Sequence, residues 1–258
     1  MDRRKFVGAS MLTAASLAAQ SSFASGKQAV KKEFYEWREY DIKFGSGQAG
    51  LHQYLEKALI PALNKQGVKQ VGVFRELSKN EPPKIYVLIA YPSLEQYIGI
   101  RENVKKDSGF VENSQAYDKI VPEKAVYKRM DTSLMIAFDG LPAMIKPADG
   151  PRIFELRTYE GYNEDAVKRK IKMFNDEEFV IFNRVGLNPV FFGEMIAGKN
   201  CPALSYMLTF KTMAERDANW SAFGADAQWK KILADPQYAN TVSNIIRIFL
   251  EPLPYSQI

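Results

Sequence analysis

Phe34-Tyr35-Glu36-Trp37-Arg38-Glu39-Tyr40 returns 119 positions later as Ile153-Phe154-Glu155-Leu156-Arg157-Thr158-Tyr159. The shared core is aromatic-Glu-apolar-Arg-x-Tyr. Alternation of side chains along an extended chain puts Glu36, Arg38 and Tyr40 on one face of a strand, and Glu155, Arg157 and Tyr159 on the equivalent face of its echo. Two further echoes follow in the same order. Gly72-Val73-Phe74-Arg75-Glu76 pairs with Pro189-Val190-Phe191-Phe192-Gly193-Glu194, and Tyr86-Val87-Leu88-Ile89-Ala90-Tyr91 with Ser205-Tyr206-Met207-Leu208-Thr209-Phe210, at offsets of 117 to 119. Three ordered matches at one spacing indicate a duplication.

Between the copies, Asp139-Gly140-Leu141-Pro142 to Lys146-Pro147-Ala148-Asp149-Gly150-Pro151 concentrates Pro and Gly without a period, the composition of a linker. The expected organisation is residues 1–26 as a targeting segment, 33–140 as a first domain, 141–151 as a linker and 152–258 as a second domain.

Each copy reads as strand, helix, strand, strand, helix, strand. In the first, Phe34 to Phe44 is a strand broken by Gly45-Ser46-Gly47. Leu51, Tyr54, Leu55, Ala58, Leu59, Ala62 and Leu63 then recur at spacings of 3 and 4, one stripe of a helix that ends before Gly67. Val68 to Leu77 and Lys84 to Tyr91 form a hairpin, Ser93 caps a further helix, a helical stretch covers Ser114 to Ile120, and the last strand lies near Val126 to Phe138. The second copy repeats the order between Arg152 and Leu250. This βαββαβ plan is ferredoxin-like: two helices cover one face of a four-stranded antiparallel sheet and leave the other bare. Two copies can pack bare face to bare face, so the expected fold is α+β, an intramolecular pseudo-dimer forming an α+β barrel.

Residues before the first strand carry a different signal. Arg3-Arg4-Lys5-Phe6-Val7 is a charged n-region, and Val7 to Ala19 is a mildly apolar stretch of Ala, Ser, Leu and Met, too short for a bilayer span of about 20 residues. Small residues at Ser22, Ala24 and Gly26 offer processing sites, so the mature chain is expected to begin between Ser25 and Lys27. The arginine pair with a phenylalanine two residues on resembles a twin-arginine signal, which implies the twin-arginine export machinery as a partner and a periplasmic or extracellular destination.

Charge and motifs exclude several classes. The chain has 35 basic and 30 acidic residues, net +5; removing the three basic and one acidic residues of the leader leaves +3, with both signs interspersed, so a nucleic-acid binder is not expected. Lys168-Arg169-Lys170 reads as one solvated helix face. Cys201 is the sole cysteine, so no intrachain disulfide can form, and it reads as a loop residue before Pro202. His52, the sole histidine, sits one position off the apolar stripe and reads as a half-exposed surface residue. GxGxxG, Walker, GxSxG, HxH and HExxH motifs do not occur, so no cofactor or metal is expected. The aromatics Phe174, Phe179, Phe182, Phe191, Phe192, Trp220, Phe223 and Trp229 could line an aromatic-substrate pocket, and such residues more often form core.

The tandem aromatic-Glu-apolar-Arg-x-Tyr strands, the helical Leu59-Ile60-Pro61-Ala62-Leu63 and the tail Phe249-Leu250-Glu251-Pro252-Leu253-Pro254-Tyr255-Ser256 resemble bacterial NIPSNAP-family proteins over roughly Glu33 to Ile258. The resemblance implies the dimeric α+β barrel class, which also contains cofactor-independent oxygenases and some haem proteins; neither activity transfers with the fold. Candidate ligand-binding residues are Glu36, Arg38, Tyr40, Glu155, Arg157 and Tyr159. If they face the barrel, six polar groups meet between the sheets, where Arg38 or Arg157 can hold a carboxylate or enolate and Tyr40 or Tyr159 can move a proton. The other reading makes Glu36–Arg38 and Glu155–Arg157 structural ion pairs, repeated because the domain was duplicated. Two functions follow: a module binding a small apolar or acidic ligand or an assembly partner, or a cofactor-independent oxygenase or isomerase acting on an activated carbonyl or phenolic substrate. Unpaired sheet edges lead to the expectation of a homo-oligomer.

Overall fold

The computed structural model describes residues 31–78 and 81–258. The targeting segment expected at residues 1–26, with Arg3 and Arg4, lies outside the described residues. The strands of the first repeat are β1 (Phe34–Ile42), β2 (Val71–Glu76), β3 (Ile85–Tyr91) and β4 (Tyr127–Ala137); those of the second are β5 (Ile153–Glu160), β6 (Asn188–Ala197), β7 (Ala203–Phe210) and β8 (Asn244–Pro252). The strands are joined in the order β1-β3-β2-β8-β5-β7-β6-β4 and close on themselves. Each repeat contributes a four-stranded antiparallel sheet, and β2–β8 and β4–β6 weld the two sheets into one barrel. The expected α+β pseudo-dimer is therefore present within one chain.

Closure alters one inference. A barrel has no free sheet edge, so the edges on which a homo-oligomer was expected are paired internally. The β2 edge not covered by β8 is completed by the tail: Leu253 and Gln257 donate their backbone N–H groups to Val73 and Val71, and Ser256 Oγ and Gln257 Oε1 accept from those residues in return.

The helices lie outside the barrel. In each repeat the first helix contains a π-helical stretch, Tyr54–Leu59 between Ala49–Gln53 and Ile60–Lys65, and Phe174–Glu178 between Glu164–Met173 and Phe179–Val185. The second crossover helix is broken in both copies by an aspartate that caps its second half: Asp107 accepts from Phe110 N, and Asp226 from Gln228 N and Trp229 N. Ser93 caps the preceding helix as expected. Among the described residues no helix is long and apolar enough to cross a membrane.

Among the described residues, three apolar clusters hold the fold together. One lies between helices and sheet in each repeat, and the third fills the barrel with Tyr35, Trp37, Phe74, Phe154, Phe191 and their neighbours. Of the aromatics singled out in the second repeat, Phe174, Phe182, Phe192 and Phe223 belong to the helix–sheet core with Phe179, Trp220 and Trp229 packed on it, and Phe191 belongs to the barrel. Lys170 departs from its expected solvated face: it is buried against Glu178, while Arg169 stays outside on Asp165.

Candidate binding site

The alternation of β1 places Tyr35 and Trp37 inside the barrel, so Glu36, Arg38 and Tyr40 point the other way, towards the helices with Phe34 and Ile42. The same holds for Glu155, Arg157 and Tyr159 opposite Phe154 and Leu156. The six polar groups do not meet between the sheets; they form two separate sets on opposite outer faces. Packing explains the choice of side. An eight-stranded barrel interior has room for little beyond its own side chains, and apolar residues occupy most of it. The helices can bring polar partners to the outer face.

In the first repeat, Arg38 is 8% exposed, and its Nε and Nη2 donate to Glu36 Oε1 and Oε2 at 2.9 and 3.1 Å. Tyr91 donates its hydroxyl to the same carboxylate at 2.8 Å, and Arg101 Nη1 approaches to 3.5 Å. Burial pushes the Glu36 carboxyl up, but the Arg38 charge and the hydrogen bonds from Arg38 and Tyr91 outweigh it and hold the group below the usual glutamate range. Burial likewise opposes the Arg38 charge and is overcome by Glu36 and Tyr40. The pair is structural in that each member is needed to compensate the other.

The pair is also the floor of a cavity of about 290 Å³. Five tyrosines, Tyr40, Tyr54, Tyr91, Tyr117 and Tyr127, line it together with apolar side chains. Tyr54 stacks on Tyr117 with ring centroids 4.2 Å apart, the Tyr117 and Tyr127 hydroxyls share a hydrogen bond of 2.9 Å, and Tyr127 packs edge-on against Tyr40 at 5.1 Å. Burial raises the Tyr54 phenol to about 12 and also raises Tyr40, Tyr91 and Tyr117, so these hydroxyls are neutral donors at physiological pH. Tyr54 and Leu59 reach the cavity from the π-helical stretch, a distortion frequent at functional sites.

The second repeat surrounds the equivalent pair with more partners. Glu155 accepts from Arg157 Nη1 at 3.2 Å, from Arg216 Nε and Nη2 at 2.9 Å each, and from Trp220 Nε1 at 2.8 Å. The Trp220 ring lies over the Arg157 guanidinium, 4.2 Å from its central carbon, and Arg157 Nε has no partner among the described residues. Lys170 and Glu178 form a buried ion pair beneath Phe174 and Trp229. At the 119-residue offset, Trp220 corresponds to Arg101 and Arg216 to Tyr97. Two helical positions thus differ around strand arginines that are each 8% exposed, and at one of them the Trp220 ring covers the guanidinium.

Tyr54, Tyr91, Arg101, Tyr117 and Tyr127 were not among the expected site residues. Tyr91 and Arg101 carry a readable signal, because the repeat offset aligns them with Phe210 and Trp220; Tyr54 and Tyr117 depend on helix placement, and Tyr127 on where β4 begins. His52 shares a hydrogen bond of 2.6 Å with the Tyr255 hydroxyl, and burial lowers its pKa. Cys201 is exposed. Among the described residues no group of three or more His, Cys, Asp or Glu side chains is placed to hold a metal ion.

Comparison with known proteins agrees with this architecture. Solved structures with the same fold include two provisionally named monooxygenases. That of Fusobacterium nucleatum matches at 12% identity and TM-score 0.56 over 87% of this chain and 94% of its own. That of Lactobacillus acidophilus matches at 10% and 0.56 over 86% and 94%. A NIPSNAP family protein of Agrobacterium tumefaciens, 16% identical with a TM-score of 0.38, covers 42% of this chain and 98% of its own length. No curated protein matches the chain. The NIPSNAP family profile matches twice, over residues 35–139 and 154–257. With both repeats matched, the chain belongs to the NIPSNAP family.

Proposed function

We propose that this NIPSNAP protein is an exported small-ligand-binding module whose first repeat takes a single-ring aromatic acid. The observation that carries the reading is the buried Arg38 guanidinium at the floor of a tyrosine-walled cavity. Glu36 engages Arg38 Nε and Nη2, so a ligand carboxylate would meet the remaining Nη1 edge of Arg38 and the half-exposed Arg101 guanidinium, and stacked and edge-on tyrosines suit an aromatic ring. The volume of about 290 Å³ lies at the lower end of the roughly 300–1,000 Å³ usual for ligand pockets, which favours one ring over two.

The alternative of a cofactor-independent oxygenase or isomerase needs a group that accepts a proton from substrate. Glu36 is a weak base held by Arg38 and Tyr91, and the surrounding phenols are raised. These groups bind and orient more readily than they abstract protons. The likeness to the two monooxygenases is one of fold.

Calorimetric titration with 4-hydroxybenzoate tests the binding reading. Charge-assisted hydrogen bonds are worth about 1.5–3 kcal/mol, so Arg38→Ala should weaken binding by about 10- to 150-fold. Arg38→Lys keeps Glu36 paired, removes the planar fork and should give an intermediate loss. Equal affinity in all three proteins would sink the reading.

The destination is tested separately. Replacing Arg3 and Arg4 together by lysine should leave the protein inside the cell with its leader uncleaved, read by fractionation and intact mass. Undiminished export of the double variant overturns the twin-arginine assignment.

A further inference from the structure

The barrel interior is packed unevenly along its axis. At one end the core is solid: the Ile258 side chain is 0% exposed among barrel residues and sits where a Cβ on Gly72 would come within 2.8 Å of its Cδ1. Gly72 is required there because any side chain would strike both Ile258 and the Phe74 ring. At the opposite end, where β1 finishes and β4 begins, a second cavity of about 260 Å³ opens inside the barrel. Its apolar wall is Trp37, Met135, Leu156, Met195, Ile246 and Ile248. These come from β1, β4, β5, β6 and β8, so neither repeat makes the cavity by itself.

Most of its polar groups have partners before any ligand arrives. Thr158 and Ser205 share a hydrogen bond of 2.7 Å across β5 and β7. At the rim, Lys84 Nζ lies 2.5 Å from Glu39 Oε1, and Lys199 reaches from the β6–β7 turn to Asp131 at 2.5 Å and Glu39 at 3.7 Å. The turn can approach this closely because Gly198, at φ 140°, has no side chain; a Cβ there would sit 2.5 Å from Ser133 Oγ.

We propose that this barrel mouth is a second binding site, for an uncharged amphiphile with an apolar body of one ring or a short alkyl chain and a terminal hydroxyl. The wall excludes a polar body, and the volume excludes a large one. The rim selects the head group. Its two ammonium groups face two carboxylates, so an added charge of either sign must break one of these pairs, whereas a hydroxyl accepts from a lysine and donates to a carboxylate with both pairs kept. Lys199 is half-exposed and its contacts are those of a surface pair, which are weak and reversible, so the side chain can swing aside to admit a ligand.

The methionines report on both cavities, since Met135 and Met195 line the barrel mouth and Met130 lines the tyrosine pocket. Titration of methyl-13C-methionine-labelled protein with 1-octanol should shift the Met135 and Met195 methyl resonances saturably and leave Met130 in place. Ile248→Trp fills the mouth and should abolish these shifts, with an unchanged Met130 resonance showing that the fold is intact. Should that variant not fold, Met195→Trp makes the same test with Met135 as reporter. No saturable shift at Met135 and Met195, a shift that survives filling, or a shift of Met130 alone overturns the proposal. The tyrosine-pocket reading is untouched by failure here, because 4-hydroxybenzoate is followed at Met130.

Discussion

Glu178→Ala is expected to lower the melting temperature by on the order of 10 °C. Lys170 and Glu178 are 5% and 2% exposed, their charged ends are in contact, and the ammonium lies 4.4 Å from the Phe174 ring centre and 3.3 Å from the Met173 sulfur. Removing one partner of a buried pair leaves an uncompensated charge and costs about 3–5 kcal/mol. For a chain of this size each kcal/mol moves the melting point by about 2–4 °C. Differential scanning calorimetry reads the shift, and a change of under about 2 °C would mean that water reaches Lys170.

The double replacement Lys170→Leu with Glu178→Leu separates charge from shape. The residues 119 positions earlier are Leu51 and Leu59, both buried in the first repeat, so the fold already accommodates two leucines at these sites. Replacing a whole buried pair by apolar residues is commonly neutral or stabilising by about 1–4 kcal/mol, so the double variant should melt at or above the wild type. Its pH dependence carries a sign as well. Burial raises the Glu178 carboxyl despite the Lys170 charge. The stability that this group contributes is therefore present below the ordinary glutamate value and lost as pH rises through the raised one. The melting temperature of the wild type relative to the double variant should fall as pH rises above the ordinary glutamate range; a rise would show that the pair's attraction outweighs burial.

The duplication explains why the fold could be read before the site. Strand Phe34–Tyr40 and its echo carry period 2, the Leu51-to-Leu63 stripe carries the helical period, and the repeat offset fixes their order, so the βαββαβ plan follows from local pattern. Period 2 also groups Glu36, Arg38 and Tyr40 correctly, but it does not say which face of the strand meets the barrel. That depends on what lies opposite: Phe74, Phe154 and Phe191 on one side, and helices bearing Tyr54, Arg101 and Tyr117 on the other. Lys170 failed for a similar reason. A lysine within Lys168-Arg169-Lys170 looks solvated until its partner Glu178, eight residues on, turns inward with it across the π-helical stretch.

The same offset supplies the second large effect. Arg101→Trp should abolish binding of the aromatic acid, with affinity falling more than 100-fold, about 2.8 kcal/mol at 1.4 kcal/mol per tenfold. Trp220, its counterpart, lies over Arg157 and donates to Glu155. A tryptophan at 101 would cover Arg38 in the same way and occupy the cavity of about 290 Å³. Stability should change little, because the Arg101 side chain is 43% exposed and its contact with Glu36 is long. The reciprocal Trp220→Ala uncovers Arg157, whose Nε lacks a partner among the described residues, and should create weak binding in the second repeat. Titration of both variants with 4-hydroxybenzoate decides the matter. Retained affinity in Arg101→Trp would place the ligand elsewhere on the protein, whereas loss in one repeat and gain in the other would trace the difference between the two copies to one helical position above a common Glu-x-Arg strand.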